Sequence, residues 1–82
     1  MEKIPRKSDL NQEILSLGVQ IHSIIKEKGL KVREVAHDAD MDVENLRKYI
    51  KGKQEMKIST MLKITRALRV TVNDLFSFLD KN

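Results

Sequence analysis

The sequence predicts an all-α domain of five helices. Apolar residues recur at steps of three and four along most of the chain, which is the spacing of a buried helical face. Glycine, aspartate and threonine interrupt these stretches at points where helices commonly end or begin, and no segment has the alternating pattern of a strand. With 82 residues, the chain is long enough for one domain.

The N-terminal region divides into an arm and the first helix. Residues 1–8 carry three basic side chains and a proline but no apolar period, so we expect a flexible basic arm. The single folded domain is then residues 9–80. Asp9, with Gln12 three positions later, forms a capping-box pattern that predicts the start of the first helix.

The first helix is predicted to be the longest, with a buried stripe that continues to Lys28. Gly18 lies inside this stripe, where glycine costs about 1 kcal/mol relative to alanine. We therefore expect a backbone contact that requires glycine there. Gly29 is placed to end the helix in a left-handed conformation.

Two short helices are predicted next, at about 32–39 and 43–51, with residues 40–42 as the turn. Asp40 tolerates a left-handed conformation better than most residues. Asp42 is placed to cap the second helix of the pair. The inner face of that helix is predicted to be Leu46, Tyr49 and Ile50.

The last two helices are predicted at about 58–68 and 72–79. Thr71 and Asp74 form a second capping-box pattern at the start of the final helix.

The final helix contains two phenylalanines, Phe76 and Phe78. Residues two positions apart on a helix point in different directions, so we expect one ring inside the core and the other at least partly exposed. An exposed phenylalanine on a terminal helix suggests a dimer contact.

Composition excludes several classes of protein. The chain has no cysteine, which rules out disulfide scaffolds, zinc–thiolate sites and thiol catalysis. No apolar run approaches the roughly 20 residues of a membrane span, and the N-terminus lacks the apolar core of a secretion signal. We therefore expect a cytoplasmic protein with no membrane partner.

The sequence also lacks the patterns of an active site. His22 and His37 fall on different predicted helices without carboxylates at ligand spacing, so we expect no metal. No nucleophile elbow or glycine-rich phosphate loop is present. We expect no cofactor, no small-molecule ligand and no enzymatic activity.

Charge is distributed unevenly along the chain, which has a net charge of +4. Residues 32–46 contain one base and five acids, whereas residues 47–69 contain eight bases and one acid. A basic segment of that density can follow the phosphates of a nucleic acid. The alternative interpretation is a charge-mixed helical surface exposed to solvent.

The pair of short helices around residues 40–42 is the most informative pattern. Two short helices joined by a tight turn allow the second to project into a DNA major groove, which is about 12 Å wide. The alternative is an ordinary pair of bundle helices.

The residues from Leu17 to Phe76 share a set of motifs with one family. The matching residues are Leu17-Gly18, Ile21, the EKGL of residues 27–30, Val35-Ala36, Ala39, Met41, Leu46, Tyr49, the KGK of residues 51–53, and TMLKITRALRVTVNDLF at residues 60–76. In these the chain resembles the phage-repressor/Cro-type helix-turn-helix family of transcriptional regulators. The resemblance implies a five-helix lambda-repressor-like helix-turn-helix domain, here with an extended first helix, and double-stranded DNA as the partner of a homodimer.

The resemblance also implies a division of roles around the third helix. It assigns DNA base contacts to Val43, Glu44 and Lys48, with Asn45 and Arg47 beside them. It assigns phosphate contacts to Lys31, Val32, Arg33, Lys51 and Lys53. The function implied is a sequence-specific regulator, a repressor, that reads the major groove with helix 43–51.

Some positions depart from the family pattern. A polar residue commonly opens the second helix, and here it is Val32; Asp40 replaces the turn glycine, and Ile50 and Met56 replace a glutamate and a proline. The carboxylates of Asp42 and Glu44 would face a phosphate surface, although Lys48 one turn later can partly neutralise Glu44. An alternative function is therefore a protein-interaction module, such as an antitoxin-like or regulatory subunit, that uses the acidic surface of helices two and three.

Overall fold

The computed structural model describes the backbone of residues 7–80 and the side chains of residues 11–79. It contains helices α1 (Lys7–Glu27), α2 (Val32–Asp38), α3 (Val43–Ile50), α4 (Ile58–Leu68) and α5 (Val72–Leu75), followed by a 3-10 helix (Ser77–Asp80). No strand occurs between residues 7 and 80. The predicted all-α, five-helix class is confirmed.

Helix α1 begins at Lys7, two residues before the cap predicted at Asp9. Asp9 therefore lies inside the helix, and that predicted cap is wrong. Of the arm predicted at 1–8, residues 1–6 lie outside the described part of the chain. The other end agrees with the sequence: Gly29 has a φ of 66°, and the amide of Leu30 donates to the carbonyl of Ile25 at 2.9 Å, which closes the helix as a Schellman motif.

The core is assembled from all five helices. Helix α1 contacts α3, α5 and the 3-10 helix, while α2 lies against both α3 and α4. The side chains buried between them are Leu17, Ile21, Ile24, Ile25, Val35, Ala36, Ala39, Leu46, Ile64, Leu68 and Leu75. None of the described helices combines the length and the apolar character that a membrane crossing requires.

Helix α1 touches the last turn of α3 directly through its backbone at Gly18. A Cβ atom added to Gly18 would lie 2.6 Å from the carbonyl oxygen of Tyr49 and closer still to that of Ile50. The backbone contact expected at this glycine is therefore confirmed. One turn earlier, Leu15 fills the space beside Gly52, where an added Cβ would lie 2.5 Å from Leu15 Cδ2.

Helix α5 ends earlier than the sequence predicts. Its capping box is present, because Asp74 N donates to Thr71 Oγ1 at 3.0 Å and Thr71 N donates to Asp74 Oδ2 at 3.2 Å. The helix stops at Leu75, however, rather than at Leu79. One physical reason is Gln20 of α1, whose Nε2 donates to the Asp74 carbonyl at 3.1 Å and so binds the acceptor that an α-helix would use for its next turn.

This early end changes the arrangement of the two phenylalanines. Phe76 and Phe78 are both half-buried, and their ring centroids lie 6.1 Å apart, within the range of a favourable aromatic pair. The expectation that they point in different directions is wrong, because a 3-10 segment follows Phe76 in place of a continuous α-helix.

The end of α4 depends on a residue that the sequence pattern placed on the buried stripe of α1. Lys28 is exposed, and its Nζ donates to the carbonyls of Leu68 at 2.8 Å and Arg69 at 3.0 Å. Arg69 itself has a left-handed φ of 59°. A cation at the C-terminus of a helix satisfies its last carbonyls and interacts favourably with the helix dipole.

The Gly18 contact makes the stability of the domain sensitive to a single methyl group. We expect Gly18→Ala to lower the free energy of unfolding by about 1 to 3 kcal/mol, the usual cost of overpacking, although alanine is the better helix former by about 1 kcal/mol. Urea unfolding followed by circular dichroism measures the change. The neighbouring exposed Val19→Ala is the control, expected within about 0.5 kcal/mol of the parent protein; a more stable Gly18→Ala variant would contradict the contact.

Candidate nucleic-acid interface

The turn between α2 and α3 is tight and closes with backbone hydrogen bonds. Asp40 has a φ of 56°, so the predicted left-handed residue is confirmed. Asp40 N donates to the carbonyl of His37 at 3.0 Å and Met41 N to that of Ala36 at 2.9 Å. Helix α3 then begins at Val43, which places the two short helices in a fixed relation with only four residues between them.

Helix α3 is held by its inner face and presents its outer face to solvent. Leu46 is fully buried, while Tyr49 and Ile50 are half-buried against the core. Val43, the first residue of the helix, is also half-buried. The remaining residues assigned to base contacts are all exposed: Glu44, Asn45, Arg47 and Lys48.

The C-terminal half of α3 and the loop after it form a basic depression. Its lining residues, which we call the basic hollow, are Glu44, Arg47, Lys48, Lys51 and Lys53. Four cations therefore share one open surface, and that surface combines residues assigned to bases with residues assigned to phosphates. Because the hollow is open and the four basic side chains are exposed, they can reach a polyanion without moving the backbone.

The predicted phosphate contacts at the start of α2 lie on a different part of the surface. Lys31 and Arg33 are exposed and line a second open depression together with the acids Glu34 and Asp38. Glu34 Oε1 accepts a hydrogen bond from Lys31 N at 3.1 Å. Val32 is half-buried and packs against the core. Its side chain is apolar, and a phosphate could be bound there only by its main-chain amide.

The acidic residues at the start of α3 have no direct side-chain partner among the described residues. Asp42 occupies the N-cap position, but its side chain accepts no capping hydrogen bond, so the predicted cap is wrong in this respect. Among the side chains of residues 11–79, the one close contact between a basic and an acidic group joins His37 Nδ1 to Asp38 Oδ1 at 3.6 Å, and none joins Glu44 to Lys48.

The basic hollow places Glu44 beside the basic residues of α3, as its spacing from Lys48 in the sequence indicates. In the sequence it closes an acidic segment, yet on α3 it lies one turn before Lys48 and next to the basic residues that follow. The helical repeat of 3.6 residues carries this information. Within the described residues, no group of three histidine or acidic side chains is arranged to hold a metal ion.

The chain is similar to known helix-turn-helix proteins. The model of the Cro/C1-type helix-turn-helix DNA-binding domain matches residues 20–81. The controller protein C.AhdI of restriction-modification from Aeromonas hydrophila superposes with a TM-score of 0.77 at 20% identity, covering 79% of this chain and 98% of that one. The clp gene regulator ClgR from C. glutamicum superposes with a TM-score of 0.76 at 23% identity, covering 79% and 84%. A search of curated proteins gives no significant match.

Proposed function

Because the chain belongs to the Cro/C1-type helix-turn-helix DNA-binding family, we propose that it is a sequence-specific repressor that reads the major groove with α3 as a homodimer. DNA binding in transcription regulation is the function of this family, whose members are regulators and not enzymes. The observation that carries the proposal is the exposed outer face of α3 beside the basic hollow. We also propose that the protein acts in the cytoplasm, the compartment expected from the sequence.

The outer face of α3 has the chemistry of base recognition. Arg47 and Lys48 can donate to the acceptors of guanine, and Asn45 can pair with adenine. Glu44 can accept from the amino group of cytosine. Val43, half-buried at the start of the helix, presents the remaining part of its side chain as an apolar surface for a thymine methyl group.

Phosphate binding is the proposed role of the basic residues around this face. Lys51 and Lys53 lie at the end of α3, and Lys31 and Arg33 lie at the start of α2. Phosphate contacts position a protein on the duplex without reading its sequence. Two copies related by a two-fold axis would place their α3 helices about 34 Å apart, one turn of DNA, and bound protein would block access to that site.

A homodimer requires an apolar surface that is free to meet a second copy. Phe76 and Phe78, the residues first expected at this contact, are half-buried against one another. On α4, Ile58 is 74% exposed and Leu62 is 39% exposed, and residues four apart share one face of a helix. We place the centre of the dimer contact at this α4 pair, with the two phenylalanines as the other candidate.

The acidic residues favour a second candidate function. Asp42 and Glu44 are exposed at the start of α3, and neither forms an ion pair within the described part of the chain. A basic partner protein would find both carboxylates accessible. The protein would then be an interaction module, such as an antitoxin-like or regulatory subunit, that keeps the fold but not the DNA contact.

Two lysines of the basic hollow distinguish base recognition from phosphate binding. We expect Lys51→Ala to weaken binding to all duplexes alike and to reduce the slope of log K against log salt by about 1. We expect Lys48→Ala to change which sequences are preferred. Fluorescence anisotropy with random duplex across salt concentrations, and selection of bound sequences, measure the two effects. Lys63→Ala on α4 is the charge-matched control; absence of binding to random duplex at low salt would defeat the DNA-binding proposal.

Charge reversal at Glu44 distinguishes the two candidate functions. If α3 faces DNA, Glu44→Lys should raise affinity for random duplex by about tenfold at low salt, because a repulsive carboxylate becomes a phosphate-binding cation. Glu27→Lys at the end of α1 makes the same change in net charge and should have a smaller effect. If Glu44→Lys leaves DNA affinity unchanged and abolishes binding to a protein partner, the interaction module is correct.

The α4 pair is tested by the mass of the protein in solution. We expect Ile58→Glu combined with Leu62→Glu to convert a dimer to a monomer of 9.5 kDa, as measured by analytical ultracentrifugation. Both side chains are exposed, and a glutamate at position 58, in the first turn of α4, interacts favourably with the helix dipole, so the variant should fold. Val19→Glu introduces the same residue on α1 and should leave the dimer intact. If Phe78→Ala alone dissociates the dimer, the contact lies at the phenylalanines. If the parent protein is a monomer both free in solution and bound to DNA, neither surface is a dimer contact.

A further inference from the structure

Six half-buried apolar side chains of the domain line one groove. It has a volume of about 340 Å³ and lies between α1, the end of α3, the loop before α4, α4 itself and the C-terminal segment. The apolar side chains that line it are Ile14, Leu17, Tyr49, Met56, Met61, Phe76, Phe78 and Leu79. Leu17 also belongs to the buried core, whereas the other apolar side chains of the groove are half-buried or exposed, so the described residues leave them incompletely covered.

The groove combines aromatic rings with negative charge. Tyr49, Phe76 and Phe78 contribute the rings, and the charged residues among its described lining are both acids, Glu13 and Glu55. The chain as a whole is basic, with a net charge of +4, whereas the two carboxylates of the groove disfavour an anionic ligand there. Aromatic faces attract cations through the ring quadrupole.

We propose that this groove binds a small organic cation with an apolar or aromatic body. The apolar body would cover the methionine and phenylalanine side chains, while the cationic group would lie near Glu13 and Glu55. The volume is at the lower end of the range for small-molecule sites, about 300 to 1,000 Å³. The groove is too small for a helix of a partner protein, because an α-helix with its side chains has a diameter of about 10 Å.

The groove is linked to the DNA-reading helix through Tyr49. This residue belongs to α3, and its carbonyl lies 2.6 Å from the position of a Cβ on Gly18, so the groove and the α1–α3 contact share one residue. Met56 and Glu55 belong to the loop that also carries Lys53. The inference rests on the proposed function in one respect: the bound cation is a regulator of DNA affinity.

Binding is tested first without DNA. The probe is benzyldimethyloctylammonium below its micelle concentration, titrated by calorimetry and mapped by chemical shifts on isotope-labelled protein. The uncharged control is a phenyl-substituted fatty alcohol of similar length, and the anionic control is an alkylbenzenesulfonate. We expect the cation to bind more tightly than either and to shift the signals of Tyr49 and Met61. Equal affinity for the three compounds, or shifts confined to another surface, would overturn the proposal.

Variants of the two glutamates measure how much their charge contributes to cation binding. Glu13 and Glu55 are exposed, so Glu13→Gln with Glu55→Gln should leave the fold intact and weaken cation binding about fivefold. Glu27→Gln, also exposed but outside the groove, should leave it unchanged. Equal affinity of the double variant and the parent protein would show that the carboxylates do not recognise the ligand.

Regulation is tested by repeating the duplex titrations with saturating probe. We expect the probe to change the DNA affinity of the parent protein by about fivefold or more. At the same probe concentration, the DNA affinity of the double variant should change less. This comparison separates an effect through the groove from direct binding of the cation to DNA. Cation binding without any change in DNA affinity would overturn the regulatory role. Cation binding by a protein that binds no DNA would defeat the proposed function and leave the groove site standing.

Discussion

The backbone contact between Gly18 and the last turn of α3 is the constraint on which the site depends. Helix α3 has eight residues, far fewer than the about 12 to 15 that an isolated helix needs to be even marginally stable in water, and it has one fully buried side chain, Leu46. Its conformation and direction must therefore come from its neighbours. With no side chain at position 18, α1 approaches the α3 carbonyls closely and holds the helix from behind, so that its polar face is left outward.

The charges of α3 stabilise the helix, and they also make its two ends differ in how they interact with DNA phosphates. Asp42 and Glu44 lie at the N-terminal end, where the helix dipole favours carboxylates, and Arg47, Lys48 and Lys51 lie toward the C-terminal end, where it favours cations. The same distribution opposes phosphates at one end of the helix and attracts them at the other. The basic hollow is thus displaced toward the end of α3 and the loop that follows.

Much of the fold follows from signals that act within four or five residues. The sequence located α2, α3 and α4 to within one residue at each end, and it anticipated the left-handed Asp40 and the Thr71–Asp74 capping box. It failed at α5, where the local pattern permits a helix to Leu79. Gln20 binds the carbonyl of Asp74 across 54 positions of sequence, and no local pattern contains that interaction.

The sequence by itself determined the all-α class, the helix pair around residues 40–42 and the face of α3 that turns outward, because helical periodicity and caps involve neighbouring residues. Tertiary structure alone decided which distant groups meet. It brought Lys28 to the last carbonyls of α4, left the Asp42 carboxylate without a cap partner, and gathered one groove from separate segments of the chain. The physical reason is that these contacts depend on how whole helices cross, and the crossing is a property of the assembled core.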